Sequence, residues 1–166
     1  MTDKNVADGQ PYAVAKNEIH LWRSACIDEF CKAERAVGSC LTKALEVGLK
    51  TRIRRQAGLR LDDLQSLAGT VKGTQKQKVA LESALQSWRE VESRRVFFAH
   101  GCAQEFLDKR GQWVAMLTMV TGTAKRPDET RWTVTQEEAA QFQERLCCAF
   151  RDLSQQLGQL RARLEA

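Results

Sequence analysis

The sequence has little that would support a metal centre, a disulfide framework or a membrane anchor. Among its 166 residues are only two histidines, two prolines and one tyrosine, and its six cysteines include no Cys-x2-Cys pair. No stretch approaches the roughly 20 consecutive apolar residues of a membrane-spanning helix, and the first residues lack the basic and apolar regions of a signal peptide. We therefore predict a cytoplasmic protein with no metal, no cofactor and no membrane association, whose reduced cysteines fill the core.

What the sequence does have is the composition of a folded, mildly basic chain. Hydrophobic residues make up 43% and charged residues 28%, close to the average of globular proteins. A chain of this length suits one hydrophobic core, so we predict a flexible tail over residues 1–12 and a single domain over residues 13–166. The net charge of +5 favours an anionic partner where the basic residues cluster.

Apolar residues recur at helical spacing in four stretches. Residues 13–47 predict a first helix that ends near Gly48, and residues 61–71 predict a short second helix that ends at a turn around Gly73. Residues 75–102 predict a longer third helix. The last stretch carries a narrow seam that can pack inside a bundle or against another subunit. Its members are Leu146, Phe150, Leu153, Leu157, Leu160 and Leu164.

The segment after Gly111 follows a different pattern. WVAMLTMVTGT is rich in β-branched residues and TRWTVT alternates, which together predict a β-hairpin at about residues 112–134. Thr135 and Glu138 have the spacing of a capping box, which predicts the start of the last helix. The predicted fold class is therefore all-α: an up-and-down bundle of four to five helices with a β-hairpin inserted before the last helix.

Five basic residues without an acid lie between the first two predicted helices, in the segment KTRIRRQAGLR. They form either a solvated connection or, in a protein that acts on RNA, a set of phosphate contacts. Such contacts give salt-dependent affinity without recognition of bases. The candidate RNA-binding residues are Lys50, Arg52, Arg54, Arg55 and Arg60.

The segment RRVFFAHG places charge within the third apolar stripe. Arg95 occupies a position where the helical period requires an apolar residue, whereas Arg94 lies on a more exposed flank. Because a buried guanidinium must be paired or face a wet cleft, Arg95 either forms a salt bridge to an acid or lines a cleft that receives phosphate. His100 follows five residues later and can serve as a base or an acid near neutral pH.

Arg95, four intervening residues that end in Ala99, then His100 and Gly101 together resemble the motif of the HEPN superfamily, an arginine followed after four to six residues by a histidine. The order of predicted helices is compatible with that family across about residues 13–164. The resemblance implies a helical bundle that is usually dimeric, with two motifs facing each other in a metal-independent ribonuclease site. In such enzymes the ribose 2′-hydroxyl attacks the adjacent phosphorus and leaves a 2′,3′-cyclic phosphate and a 5′-hydroxyl.

The resemblance also implies roles for individual residues. Arg95 would stabilise the charge that develops on the phosphorane, and His100 would move protons. Members of the family commonly carry a polar residue directly after the arginine, where this chain has Val96. If Arg94 is instead the motif arginine, the spacing is five and Arg95 is the polar neighbour. Helical phase favours Arg95, with Arg94 as a supporting residue, and both assignments stay open.

The sequence thus predicts a homodimeric, metal-independent endoribonuclease that cleaves RNA. Its expected setting is a toxin-antitoxin or phage-defence system, with an antitoxin protein as a candidate partner. One alternative is a non-catalytic HEPN-like module for dimerisation or RNA binding. A second is a helical dimer held by the leucine seam and unrelated to RNA.

Overall fold

The computed structural model describes residues 9–123 and 126–165. Four helices are followed by a small three-stranded sheet and then by the last helix. The helices are α1 (Gly9–Glu46), α2 (Ala57–Thr70), α3 (Gln75–Glu92), α4 (Arg95–His100) and α5 (Gln136–Glu165). The strands are β1 (Cys102–Leu107), β2 (Trp113–Thr123) and β3 (Arg126–Thr135). Within the described residues, no helix has a stretch long and apolar enough to cross a membrane.

The first helix is longer than its apolar pattern predicts. α1 begins at Gly9, so residues 9–12 are helical where the sequence predicts a flexible tail; residues 1–8 lie outside the described part of the chain. The helix ends at Glu46, close to the predicted end, and Gly48 follows with a φ of 81°. Glycine adopts this left-handed conformation without steric cost, so Gly48 turns the chain out of the helix.

The third predicted helix is in fact two helices followed by a strand. α3 ends at Glu92, and α4 begins at Arg95 after a two-residue turn. In that turn the Ser93 hydroxyl donates a hydrogen bond of 2.7 Å to the Glu90 carbonyl, a local bond that competes with continuation of a helix. The prediction of one helix as far as Cys102 is therefore wrong.

The sheet contains the predicted hairpin and one further strand. β2 and β3 form the hairpin, and β1 pairs antiparallel with β2 on its other side. Ala115, Leu117 and Val134 are buried on one face of the sheet. Because side chains alternate along a strand, the residues between them lie on the opposite face. We call this opposite face the outer face of the sheet.

The last helix begins where the sequence predicts. The Thr135 backbone N–H donates to the Glu138 carboxylate at 2.8 Å, and the Glu138 N–H donates to the Thr135 hydroxyl at 3.2 Å, which is the expected capping box. The bonds that the Thr135 backbone N–H and hydroxyl donate to the carboxylate lower the pKa of Glu138. The chain is thus mostly helical with β-structure before its last helix, as predicted. All-α is not the correct class, because β1 extends the hairpin into a three-stranded sheet.

The chain divides into two compact units, each with its own core. The first comprises the described residues of Met1–Ile27 and Arg94–Glu144, and the second comprises Asp28–Ser93 and the described residues of Arg145–Ala166. A cluster of aromatic rings fills the first unit. Its members are Trp22, Phe98, Trp113, Trp132 and Phe142. A single domain over residues 13–166 stays a prediction.

The second unit contains the leucine seam of α5. Four of its six members, Leu146, Leu153, Leu157 and Leu160, are buried within their own chain. This burial removes most of the seam from the surface, so the seam does not favour the reading of the chain as a dimer held by leucines. Trp88 packs against Phe30 and Phe150 in the same unit, with ring centroids 5.8 and 6.3 Å away.

The cysteines only partly follow the prediction that they fill the core. All six are free thiols. Cys26 and Cys40 are buried, and burial raises the pKa of Cys40 to about 11. Cys31, Cys102 and Cys147 are exposed, so for these three the prediction is wrong.

Candidate functional site

Two adjacent phenylalanines anchor α4, the short helix that carries the Arg-x4-His motif. Phe97 and Phe98 are only 4% and 2% exposed. The ring of Phe98 lies 5.1 Å from that of Trp22 in an edge-on arrangement and 5.6 Å from that of Phe142 in a stacked one. Since neighbouring residues of a helix point about 100° apart, burial of both rings fixes the rotation of α4 and leaves its other side facing solvent.

Arg95 and His100 occupy the two ends of this helix. Arg95 is its first residue and is partly buried, and His100 is its last residue and is exposed. Five residues of helix separate the two by about 7.5 Å along the axis and by about 140° around it. The two side chains therefore do not share one face of α4, as the sequence spacing indicates.

Arg94 precedes the helix and is held by an aromatic ring. Its guanidinium carbon lies 5.2 Å from the centroid of the Trp132 ring, a distance typical of a cation–π contact. The residue itself is exposed. Arg94 thus keeps its charge close to the N-terminal end of α4.

Arg23, which the sequence analysis did not single out, holds the C-terminal end of α4. From α1, its Nη2 atom donates to the carbonyl oxygen of Gly101 at 2.9 Å and to that of Phe98 at 3.3 Å. The last carbonyl groups of a helix have no partner within the helix, so this guanidinium satisfies two of them. The two carbonyls lie on either side of His100 in the sequence. No sequence signal distinguishes Arg23 from the other polar residues that border the α1 stripe.

Gly101 ends the helix by a close approach of the backbone. Its N–H donates to the carbonyl oxygen of Phe97 at 3.0 Å. A Cβ atom at position 101 would lie only 2.3 Å from that same oxygen, which no side chain tolerates. The residue is extended, with φ −77° and ψ 136°, so close contact rather than a left-handed conformation requires glycine here. Gly101 and Arg23 together determine where His100 lies.

The basic segment belongs to the second unit, and two of its five residues form ion pairs. The Arg54 Nε atom lies 2.9 Å from the carboxylate of Asp63, and its Nη2 donates to the carbonyl oxygen of Leu59 at 2.8 Å. The hydrogen bond from Arg54 lowers the pKa of Asp63, a buried residue. Arg60 lies within α2 rather than in a loop, and its Nη2 is 2.7 Å from Glu34.

The other three basic residues of the segment, Lys50, Arg52 and Arg55, are exposed. Asp62 extends the pairing on the α2 side, because its carboxylate accepts a bond of 2.7 Å from Arg89. The segment is therefore neither a purely solvated loop nor a uniform basic surface. Arg54 and Arg60 hold α2 in place, while the exposed three are available to a partner.

The described residues show no arrangement suited to a metal. Within residues 9–123 and 126–165, no group of three or more His, Cys, Asp and Glu side chains is placed to hold an ion. His20, the second histidine of the chain, is exposed on α1. It provides a natural control for experiments on His100.

Comparison with protein-family models, with curated proteins and with solved structures returned no match.

Proposed function

We propose that this chain is a HEPN-type, metal-independent endoribonuclease that cleaves RNA at a site formed between two copies of itself. The observation that supports the proposal is the placement of the motif. Arg95 and His100 stand at the ends of a separate six-residue helix, which is anchored by buried phenylalanines and leaves His100 exposed. The proposal includes the up-and-down packing of the helices into a bundle, which the resemblance implies.

The proposed reaction needs two proton-transfer groups. One His100 imidazole accepts the proton of the ribose 2′-hydroxyl as that oxygen attacks phosphorus, and a protonated imidazole donates a proton to the departing 5′-oxygen. The products are a 2′,3′-cyclic phosphate and a 5′-hydroxyl. One chain brings a single histidine to the motif, so a two-fold axis would supply the second one. Arg95 and His100 of one chain do not share a face of α4, so the two-fold axis would also bring the Arg95 guanidinium of one chain beside the His100 of the other, where it would stabilise the negative charge of the phosphorane.

Such a chemical site requires histidines in fixed positions. The bonds of Arg23 to the carbonyls of Phe98 and Gly101 restrain the end of α4 on which His100 lies. Because small displacements of catalytic groups lower rates strongly, a restrained helix end suits a catalytic histidine better than a frayed one. The biological setting within this proposal is a toxin-antitoxin or phage-defence system, in which an antitoxin protein restrains the enzyme.

The test is cleavage of RNA by purified protein in excess EDTA. We expect cleavage to continue without divalent metal and to leave 2′,3′-cyclic phosphate ends, which end-group analysis by mass spectrometry identifies. The same RNA with 2′-O-methyl riboses should resist cleavage, since its 2′-oxygen carries no proton to remove. Cleavage that depends on added Mg²⁺, or products with other ends, would contradict the proposal.

A second candidate function is a non-catalytic module for dimerisation or RNA binding. Two features favour it: Val96 stands where the family commonly has a polar residue, and Arg94 is engaged with the Trp132 ring. In that case the protein binds RNA and forms a dimer but yields no cleavage products under any metal condition.

A further inference from the structure

The outer face of the sheet carries solvent-exposed side chains, both apolar ones and ones that can form hydrogen bonds. Phe106 of β1 is 47% exposed. Beside it on β2 lie Val114 and Met116, both partly buried, and Gln104 is the next outward residue on β1. Planar apolar groups with polar edges would find both kinds of contact on this face.

A hollow of about 330 Å³ lies on the outer face. Its walls come from all three strands, through the cross-strand pairs Cys102 with Thr118, Gln104 with Met116, and Thr118 with Arg131. Met116 offers an apolar surface, and the amide of Gln104 offers both a donor and an acceptor. This combination suits a nucleobase, whose faces stack and whose edges form hydrogen bonds.

The hollow adjoins the proposed catalytic helix. Cys102 lines it and follows His100, the last residue of α4, by two residues. From Cys102 to Phe106 strand β1 extends roughly 13 Å. The outward residues of β1 therefore form a track that leads from Phe106, past the hollow, to the motif histidine.

Basic residues stand beside this track. Lys109 and Arg110 lie in the turn that joins β1 to β2. Arg131 lines the hollow and forms an ion pair with Glu129, which lines it too. Apolar surface flanked by basic residues is complementary to a polyanion whose bases are unstacked and available, which describes single-stranded nucleic acid.

We propose that the outer face of the sheet binds single-stranded RNA along β1, with one base stacked on Phe106 and another in the hollow, and so presents the strand to His100. This inference rests on the proposed ribonuclease function. It adds a substrate-binding surface in the strands, outside the Arg-x4-His motif.

The test measures binding to an RNA that cannot be cleaved. A fluorescein-labelled 2′-O-methyl oligonucleotide is titrated with protein by fluorescence anisotropy, as a single strand and as a duplex with its complement. We expect the single strand to bind more tightly. Phe106→Ala should weaken single-strand binding by about tenfold, since it removes one stacking platform, while Phe106→Tyr should retain it. Leu21→Ala removes an exposed apolar residue of α1, outside the sheet, and should leave the affinity unchanged.

Each outcome decides one of the two proposals. Equal affinity for single strand and duplex would overturn the sheet as a base-binding surface. Unchanged affinity of Phe106→Ala, with a circular dichroism spectrum like that of the parent, would do the same. If RNA is nevertheless cleaved in EDTA, the ribonuclease proposal stands without the sheet. If the single strand binds through Phe106 but no RNA is cleaved, the sheet is an RNA-binding surface and the endoribonuclease proposal fails.

Discussion

Two arginine-rich segments look similar in the sequence and differ in what their arginines contact. In residues 50–60, Arg54 and Arg60 are paired with the carboxylates of Asp63 and Glu34. At the start of α4, by contrast, the guanidinium of Arg94 lies over an aromatic ring and the helix it precedes ends in an exposed histidine. A run of basic residues without neighbouring acidic residues thus does not identify a binding site. The acidic residues that pair with it can come from other parts of the chain.

Under the proposed function, this difference would separate arginines that stabilise the fold from arginines that act on RNA. If the account is correct, substitutions in residues 50–60 change stability and salt-dependent affinity. Substitutions at the start of α4 change the rate of cleavage.

Among the arginine variants, the largest effect is expected from Arg95→Ala. Loss of a group that stabilises transition-state charge typically lowers the rate by about 100- to 1000-fold. We expect kcat/KM for RNA cleavage in EDTA to fall in this range, with the circular dichroism spectrum of a folded protein. Arg55→Ala, an exposed arginine of the basic segment, is the matched control and should lower kcat/KM only slightly.

The same assay decides which arginine belongs to the motif. Arg94→Ala should have a smaller effect than Arg95→Ala, because Arg94 is the supporting residue in this account. A larger loss with Arg94→Ala would reverse the assignment. Equal and small losses for both variants would remove this pair from the mechanism.

A clear effect on stability is expected from Arg54→Ala. The substitution leaves the buried carboxylate of Asp63 without its main donor, an arrangement that costs far more than loss of an exposed charge. We expect the melting temperature to fall by a few degrees, measured by circular dichroism, while Arg52→Ala changes it little. Similar melting temperatures for the two variants would show that the Arg54–Asp63 pair is not a structural contact.

The same pair predicts a pH dependence in acid. The hydrogen bond from Arg54 lowers the pKa of Asp63 in the folded protein below its ordinary value of 3.8. The unfolded chain therefore binds the proton more readily, and the pair stabilises the fold fully above pH 3.8 and loses its contribution as the pH falls through the lower folded value. Urea unfolding between pH 5 and pH 2 should show this loss in the parent protein. A parent and an Arg54→Ala variant with parallel pH profiles would contradict it.

The smallest effect is expected from substitution of the exposed basic residues Lys50, Arg52 and Arg55. Each phosphate contact contributes about 0.7 to the slope of log affinity against log salt concentration for a single strand. Replacing one of these residues by alanine should lower the slope by about that amount if it contacts RNA. An unchanged slope for all three variants would leave the segment without a role in binding.

The sequence predicted the elements whose signals are local. α1 and α5 follow long apolar periods, the capping box fixes the start of α5, and the alternation of TRWTVT identifies the hairpin. β1 could not be predicted in the same way, because its first residue, Cys102, fits the end of the helical stripe and CAQEFL becomes a strand through pairing with β2. The break between α3 and α4 at Ser93 could not be predicted either, because no glycine or proline lies there in the sequence.

The candidate site was predicted only in part, for a related reason. The motif spacing placed Arg95 and His100 on one helix, and α4 contains both. The apolar phase that marked Arg95 as buried depended on an unbroken helix, and Arg95 is instead partly buried at a helix start. Arg23 was missed because its bonds join residues more than 70 positions apart, which no local pattern records.

The role of His100 in metal-independent RNA cleavage is tested most directly by two histidine variants in the EDTA cleavage assay. His100→Ala removes the proposed proton-transfer group, whereas His20→Ala removes the other exposed histidine of the chain. We predict that His100→Ala abolishes the formation of 2′,3′-cyclic phosphate ends without changing the melting temperature, and that His20→Ala cleaves like the parent. Cleavage by His100→Ala at the parent rate would contradict the account.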